Sequence, residues 1–371
     1  MKKFKILYGI CGLGKGHTFR QLPIVEYFSK ISDLMIFAHD NSYDFYTSYF
    51  KDSSSVKVVE VAIPFYVGNK YGIDFKASAE NPINQKDIFK INCLALDNAS
   101  QWLGIPDLVI SDYESVSAQY AYQNNVPLVT IDQQSKYLCG DFPREINGFT
   151  FEDEIKRLHM FFPKVGARIA CSFFKVPVRG GADEVSIFPS TLKQDVLKIK
   201  RNTSRNSIVV YISGARNFSQ TPEQIINIFR KQKDIHFHIF LGDGGLVDYQ
   251  QLSGLNVSVY KQNDSKFNEV LKECMGIVST AGHSLISEAM YLGIPVYAIP
   301  VAPYEQYMNA HIIDQYGFGI LHYNIDKEKL DYFIKNIYKF EEAIKNDSGI
   351  LTREPGQDKI IKFLEKEFLH P

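Results

Sequence analysis

The chain has 371 residues, beyond the size at which a single hydrophobic core stops growing, so two domains are expected. Hydrophobic residues make up 45% and charged residues 22%, the balance of a soluble globular protein. With 41 Lys plus Arg against 42 Asp plus Glu, no large cationic footprint is available for nucleic acid.

In chain order, an apolar strand over Lys5–Tyr8 enters the glycine-rich run GICGLGKGHTFR and then a helix from Arg20 to Ser29. Strands follow at Leu34–Ala38 and Val56–Ile63, a helix at Asp87–Leu103, and a short strand, Pro106–Asp112, that ends on an acid. A helix through Ala118–Gln123 leads to Val126–Ile131; a helical stretch spans Phe149–Phe162, and another strand spans Ile169–Val176. This alternation is the pattern of βαβ units with a parallel sheet. The polar segment Pro189–Asn206 separates it from a second series, which opens with Ser207–Ser213 and a glycine turn at Gly214. That series continues through Ile235–Leu241, Val257–Tyr260, Gly276–Ser279 and Ile294–Ile299, and closes with charged helical segments at Lys327–Ile344 and Asp358–Leu369.

The divisions expected are a first domain over 1–188, a linker over 189–206, a second domain over 207–345, and a C-terminal helix over 346–371 that packs back on the first domain. The fold class is α/β, two Rossmann-like doubly wound parallel-sheet domains facing across a cleft, with ligands outside the strands' carboxyl ends.

Five cysteines, at 11, 93, 139, 171 and 274, form no C-x-x-C pair and read as free thiols of a reducing cytoplasm. No apolar leader precedes the first strand, and no stretch approaches the ~18 apolar residues of a membrane span. A cytoplasmic protein, at most peripheral to the inner face of a membrane, is expected. Aromatics at Phe161-Phe162 and Phe173-Phe174 lie near Lys156, Arg157, Lys164 and Arg168 and could contact a membrane, although core packing is their commoner use.

Gly9, Gly14 and Lys15 have P-loop spacing, but Gly16 stands where that motif needs a magnesium-binding hydroxyl. The more informative segment runs from Ser279 to Ala310. A strand there ends in Thr280-Ala281-Gly282-His283-Ser284 and a helix begins. Small residues at such a turn let backbone N–H groups and the helix dipole meet a phosphate. Glu288 lies four residues after Ser284, on the same helix face, where a carboxylate can accept hydrogen bonds from a ribose diol. Glu305 and Gln306 follow the next strand and suit sugar hydroxyls.

This segment resembles the nucleotide-sugar signature of GT-B glycosyltransferases of the MurG and UDP-glycosyltransferase group. The matching residues are Gly282, Ser284, Glu288, Gly293-Ile294-Pro295, Pro300, Glu305-Gln306 and Asn309-Ala310. His283 departs from the small residue common there, and Glu305 from the usual Asp or Gln. The resemblance extends to Gly12-Leu13-Gly14-Lys15-Gly16-His17 with Arg20. It implies that Gly14 and Gly16 admit the substrates closely and that His17 is the general base, oriented by Asp112. A pKa near ~6.5 suits His17 to that task. Asp112 reads equally well as a cap for the helix after it. The resemblance also points to Gly214 and Arg216 at the diphosphate and to Gln262 at the nucleobase.

Sugar transfer from a nucleotide-sugar donor, UDP-linked, to an acceptor hydroxyl is therefore expected, with inversion. The nucleotide-sugar is a co-substrate, so no cofactor is expected; no Asp-x-Asp motif is present, and no divalent metal is expected. The acceptor is open among a glycan, a lipid-linked intermediate and a small molecule, with its loops placed near 64–86 and 133–148. A UDP-sugar hydrolase or 2-epimerase on the same fold is the alternative. A non-catalytic nucleotide-sugar-binding partner subunit is a further one.

Overall fold

The computed structural model describes residues 3–64, 68–69, 72–73, 75–82, 84–181, 184–202, 206–212, 220–241, 253–262, 265–301 and 303–370. Gly214 and Arg216, and part of the 64–86 stretch, lie outside these residues.

Among the described residues the first sheet has seven parallel strands: β1 (Phe4–Ile10), β2 (Ser32–Ala38), β3 (Val56–Glu60), β4 (Leu108–Asp112), β5 (Leu128–Asp132), β6 (Ala167–Ser172) and β7 (Ser186–Pro189), in spatial order β7-β6-β5-β4-β1-β2-β3. The second has six: β8 (Ser207–Ile212), β9 (His236–Leu241), β10 (Val257–Lys261), β11 (Cys274–Ser279), β12 (Val296–Ala298) and β13 (Gly319–Leu321), in order β10-β9-β8-β11-β12-β13. Both orders reverse direction once, between β1 and β4 and between β8 and β11. A doubly wound sheet opens its ligand crevice at that switch point, outside the carboxyl ends of the strands.

Helices cover both faces, which is why β1 and β4 are mostly apolar along their length rather than alternating. Alternate residues of β1 enter different layers. Ile6, Tyr8 and Ile10 pack with Ile24, Val25 and Phe28, whereas Leu7 packs with Met35, Val109, Ala99 and Leu103. Six helices bear on the site: α1 (Lys15–Ile31), α2 (Asp40–Tyr49), α3 (Glu152–Phe161), α4 (His283–Leu292), α5 (Pro303–Gln315) and α6 (Gln357–Leu364).

α1 starts five residues before the expected Arg20. Its N-cap, Gly14, has φ 75° and ψ 178°, a conformation open essentially only to glycine, and so the chain turns abruptly into the helix. His17 therefore sits in the first turn of a helix rather than in a loop. The Phe149–Phe162 stretch is divided between a two-stranded ribbon (Glu145–Ile146 with Phe149–Thr150) and α3.

The two domains share an apolar seam. Tyr137, Phe142, Phe151, Phe173 and Phe174 pack in one cluster with Ala281, Ile286, Tyr304 and Met308 of the second domain. Phe162, Phe173 and Phe174, weighed above as membrane contacts, are buried in the core. The segment after β7 runs between the domains: Ser190 meets Ser287 through their hydroxyls at 2.9 Å, and Thr191 Oγ1 donates to the Arg20 carbonyl at 2.5 Å. Beyond it, α6 inserts Ile360, Ile361 and Leu364 into the core of the first domain. No helix among the described residues is long and apolar enough to cross a membrane.

Candidate functional site

β1 and β4 end side by side at the first switch point, where the Cys11 N–H donates to the Asp112 carbonyl at 3.0 Å. This places the Asp112 carboxylate beneath the first turn of α1. His17 Nδ1 lies 3.1 Å from Asp112 Oδ1, with the Asp112 side chain fully buried and that of His17 14% exposed. The pairing joins residues 95 apart in sequence. Asp112 therefore faces His17, and the cap of the following helix is the Glu114 carboxylate, which accepts from the N–H groups of Val116 and Ser117.

Arg20 completes the constellation. Its Nε donates to Asp112 Oδ2 at 3.0 Å and its Nη2 to Oδ1 at 2.5 Å, a two-pronged grip on a buried carboxylate. Arg20 Nη2 also stands 2.7 Å from His17 Nδ1. That nitrogen thus has two claimants. If it accepts from Arg20, Nε2 carries the proton and cannot act as a base. If it donates to Asp112, the Nε2 lone pair is free. Burial pushes the Asp112 pKa up, but Arg20 and His17 outweigh it and hold the carboxyl at about 2. For His17, burial and Arg20 favour the neutral ring, while Cys11 and Asp112 favour the cation and win, raising it above the ordinary 6.5.

Sequence reasoning noted Arg20 only as part of a motif. Its i+3 spacing from His17, which puts both on one helix face, was the available signal. Tyr113, the next residue after Asp112, has φ 57°, and its ring centroid lies 6.3 Å from that of His17.

Across the cleft, β11 ends at the second switch point. Thr280 and Ala281 are buried, and Gly282 is the N-cap of α4. Ser284, expected near the cap, lies one residue inside the helix. Its hydroxyl donates to the Gly16 carbonyl at 3.4 Å, so the two glycine turns meet directly. There is little room at that contact, since a Cβ on Gly16 would stand 3.3 Å from Ser284 Oγ.

His283 does not offer its ring to this cleft. It is buried against Phe173, 5.8 Å between ring centroids, and burial holds it neutral. What it presents at the turn is backbone. Glu288 is also buried, and its carboxylate is paired with Lys193 at 3.1 Å. Lys193 Nζ lies at the same time 4.7 Å from the Phe19 ring centroid of α1. No local pattern could have announced this lysine, which comes from the segment joining the domains.

Gln262 donates to the Tyr211 hydroxyl at 2.9 Å, beside the second sheet's carboxyl edge. Glu305 and Gln306 lie in the first turn of α5; the Gln306 side-chain oxygen accepts from the Val301 N–H at 3.0 Å. A fully buried Lys136 stands near Glu305, and its amine donates to Gln133 Oε1 at 2.7 Å. Burial lowers its pKa to about 8. The 133–148 stretch thus carries a charged group where loop residues alone were expected.

Comparison with known proteins is consistent with this arrangement. An uncharacterized glycosyltransferase of Methanosarcina mazei is 22% identical over 403 aligned residues, covering 98% of each chain. The UDP-N-acetylglucosamine--N-acetylmuramyl-(pentapeptide) pyrophosphoryl-undecaprenol N-acetylglucosamine transferase of Rickettsia bellii is 25% identical, over 46% of this chain and 52% of its own. The solved structure of Phytolacca americana UGT2, complexed with UDP-2-fluoro-glucose and pterostilbene, superposes with a TM-score of 0.65 at 10% identity, covering 99% of this chain and 100% of that one. Two parallel-sheet domains with these neighbours make the fold GT-B. Residues 4–338 match the profile of glycosyl transferase family 1, and the chain belongs to that family as a sugar-transferring enzyme.

Proposed function

We propose that the enzyme moves a sugar from a UDP-linked donor to an acceptor hydroxyl, with inversion, using His17 as general base. The observation that carries this reading is the meeting of two half-sites across 3.4 Å: a buried His–Asp–Arg constellation on one side and an open helix N-terminus on the other. The acceptor oxygen attacks the anomeric carbon while His17 Nε2 takes its proton. Asp112 holds the Nδ1–H tautomer and stabilises the imidazolium. The bond from the anomeric carbon to the diphosphate oxygen breaks, and the electron pair leaves with the nucleotide. The N–H groups at 282–284 and the α4 dipole meet the charge that develops there.

In this reading Thr280, Ala281 and Ser284 line the diphosphate, Glu288 takes the ribose diol, Gln262 the base, and Glu305 with Gln306 the donor sugar. Gly14 and Gly16 keep the approach between the domains narrow. The relatives support a UDP donor: UDP-N-acetylglucosamine stands in the name of one and UDP-2-fluoro-glucose in the complex of another.

Thermal shift with UDP-, GDP-, CMP- and dTDP-sugars tests the donor, because a ligand that binds only the folded state raises its melting temperature. A shift with a non-UDP nucleotide alone overturns the UDP assignment. The variant His17→Ala should keep UDP binding and lose ~10²–10⁴-fold in turnover, the usual contribution of a general base. Unchanged turnover removes His17 from the mechanism. Free sugar released at the full rate without acceptor makes the enzyme a hydrolase.

A further inference from the structure

The loop that leads from β1 to His17 is Cys11-Gly12-Leu13-Gly14, and its two glycines give it little reason of its own to keep one conformation. Its middle is open: Leu13 is exposed, and a Cβ on Gly14 would meet nothing within 4 Å. Its near end is gripped by side chains from the corner where β2 enters α2. The Gly12 N–H donates to His39 Nε2 at 3.0 Å, Asn41 Nδ2 donates to the Gly12 carbonyl at 3.3 Å, and Ser42 Oγ donates to the Cys11 carbonyl at 2.8 Å. The approach is so close that a Cβ on Gly12 would collide with the His39 carbonyl. The far side of the loop is held by the same helix. The Thr18 and Ser42 hydroxyls meet at 2.7 Å, and the Tyr46 hydroxyl donates to the Thr18 carbonyl at 2.8 Å.

His39 has the central place in this grip. Its side chain is buried, and its Nδ1 lies 2.8 Å from Asp40 Oδ2. Asp40 adopts φ 45°, a left-handed conformation uncommon away from glycine, and departures of this kind gather at functional sites. The two partners of the ring set its tautomer. A carboxylate only accepts, so Nδ1 carries the proton; Gly12 offers an N–H, so Nε2 presents its lone pair. Burial opposes a second proton on the ring, whereas Asp40 and Cys11 favour one and raise its pKa. That proton would sit on Nε2 and face the Gly12 N–H donor to donor, so the contact at 3.0 Å belongs to the neutral ring.

We propose that His39 is a positioning residue for sugar transfer: through Gly12 it fixes the loop that sets His17 against the donor turn. The proposal rests on the reading of His17 as the base. Gly12 stands two residues before the α1 N-cap and five before His17, and Gly16 between them is the residue that meets Ser284. A slack loop lets the first turn of α1 drift, and a misplacement on the order of 1 Å at a reacting group lowers a rate about 10²-fold.

The test uses the full chain with two substitutions. His39→Gln keeps an acceptor near the Nε2 position, whereas His39→Leu removes it and leaves a buried N–H unpaired. UDP is the probe of binding, by calorimetry. UDP-glucose and UDP-N-acetylglucosamine are the probes of turnover, with water or methyl glucoside as acceptor and UDP release as the readout. His39→Leu should lower kcat ~10–100-fold with nucleotide-sugar KM and UDP affinity unchanged, and His39→Gln should bring kcat back to within ~3-fold of wild type. A Gln variant as slow as the Leu variant, or a loss carried by KM, overturns the proposal. The carbon-13 imidazole signals of the nine histidines need no turnover, with His17 and His39 assigned from His17→Ala and His39→Gln. At pH 7.5 His39 should show the neutral Nδ1–H tautomer, and the His17 signal should move in His39→Leu and return in His39→Gln. A cationic His39, or a His17 signal indifferent to both substitutions, overturns the proposal. If His39→Leu does not fold, the wild-type tautomer and the kcat of His39→Gln decide. Absence of UDP binding and of UDP release in the wild type overturns the donor reading instead, and the ring signals then decide the role of His39.

Discussion

The grip of Arg20 on Asp112 gives the most quantitative test. Arg20→Met keeps much of the side-chain volume while deleting both hydrogen bonds and the charge. Asp112 is fully buried and Arg20 is 7% exposed, so water cannot replace what is lost. Breaking a buried pair in this way costs about 3–5 kcal/mol. The proton linkage gives a similar figure. Holding the carboxyl at about 2, against 3.8 in a free side chain, is worth roughly 2–3 kcal/mol above pH ~4 and is lost as pH falls toward 2.

In the variant, burial faces less opposition, so the Asp112 pKa rises above its unfolded value. Its ionised form then destabilises the fold at neutral pH, and protonation relieves this as pH falls. The difference from wild type should therefore be about 3 kcal/mol at pH 7.5 and narrow toward pH 5, where the variant has taken up a proton and the wild type has not. Trp102, the only tryptophan, lies in the first domain and reports its unfolding in urea by fluorescence. A loss below ~1 kcal/mol, or one that does not change between pH 7.5 and 5, refutes the argument.

Two further outcomes follow from the site. Because Cys11 and Asp112 raise the His17 pKa, the base is set free late as pH rises, and kcat/KM should climb with a midpoint above 6.5. Asp112→Asn should move that midpoint down; a wild-type midpoint at or below 6.5 contradicts the assignment. Because Lys193 occupies the Glu288 carboxylate, which the proposed reading gives to the ribose diol, Lys193→Gln should tighten UDP binding ~5-fold, about 1 kcal/mol, by calorimetry. Weaker binding in that variant places Lys193 on the nucleotide instead.

The parts of this site that local pattern could reveal are those where neighbours in sequence do the work. Strand–glycine–helix turns, the Ser284–Glu288 spacing and the Gly-His opening all act within a few residues, and their periodicity shows in the chain. The contacts that decide protonation are of another kind. Asp112 reaches Arg20 and His17 across more than ninety residues, and Glu288 reaches Lys193 across the domain boundary. His283 illustrates the limit from the other side. Its place in the small-residue turn before α4 suggested a ligand contact, yet the ring packs inward against Phe173, where an apolar neighbour rather than the motif sets its surroundings.

The return of α6 to the first domain has a consequence for how the molecule is made. Ile360, Ile361, Leu364 and Leu369 sit in the same cluster as Ile6, Tyr8 and Phe28, and Tyr27 donates to Glu365 at 2.6 Å. A nascent chain emerging from the ribosome therefore has the first sheet in hand long before it has the residues that close one of its layers. Vectorial, domain-by-domain folding cannot finish in chain order here. The second domain is synthesised while the first still exposes an unfilled apolar face, and residues 357–369, made after both sheets, complete the layer in which α1 packs.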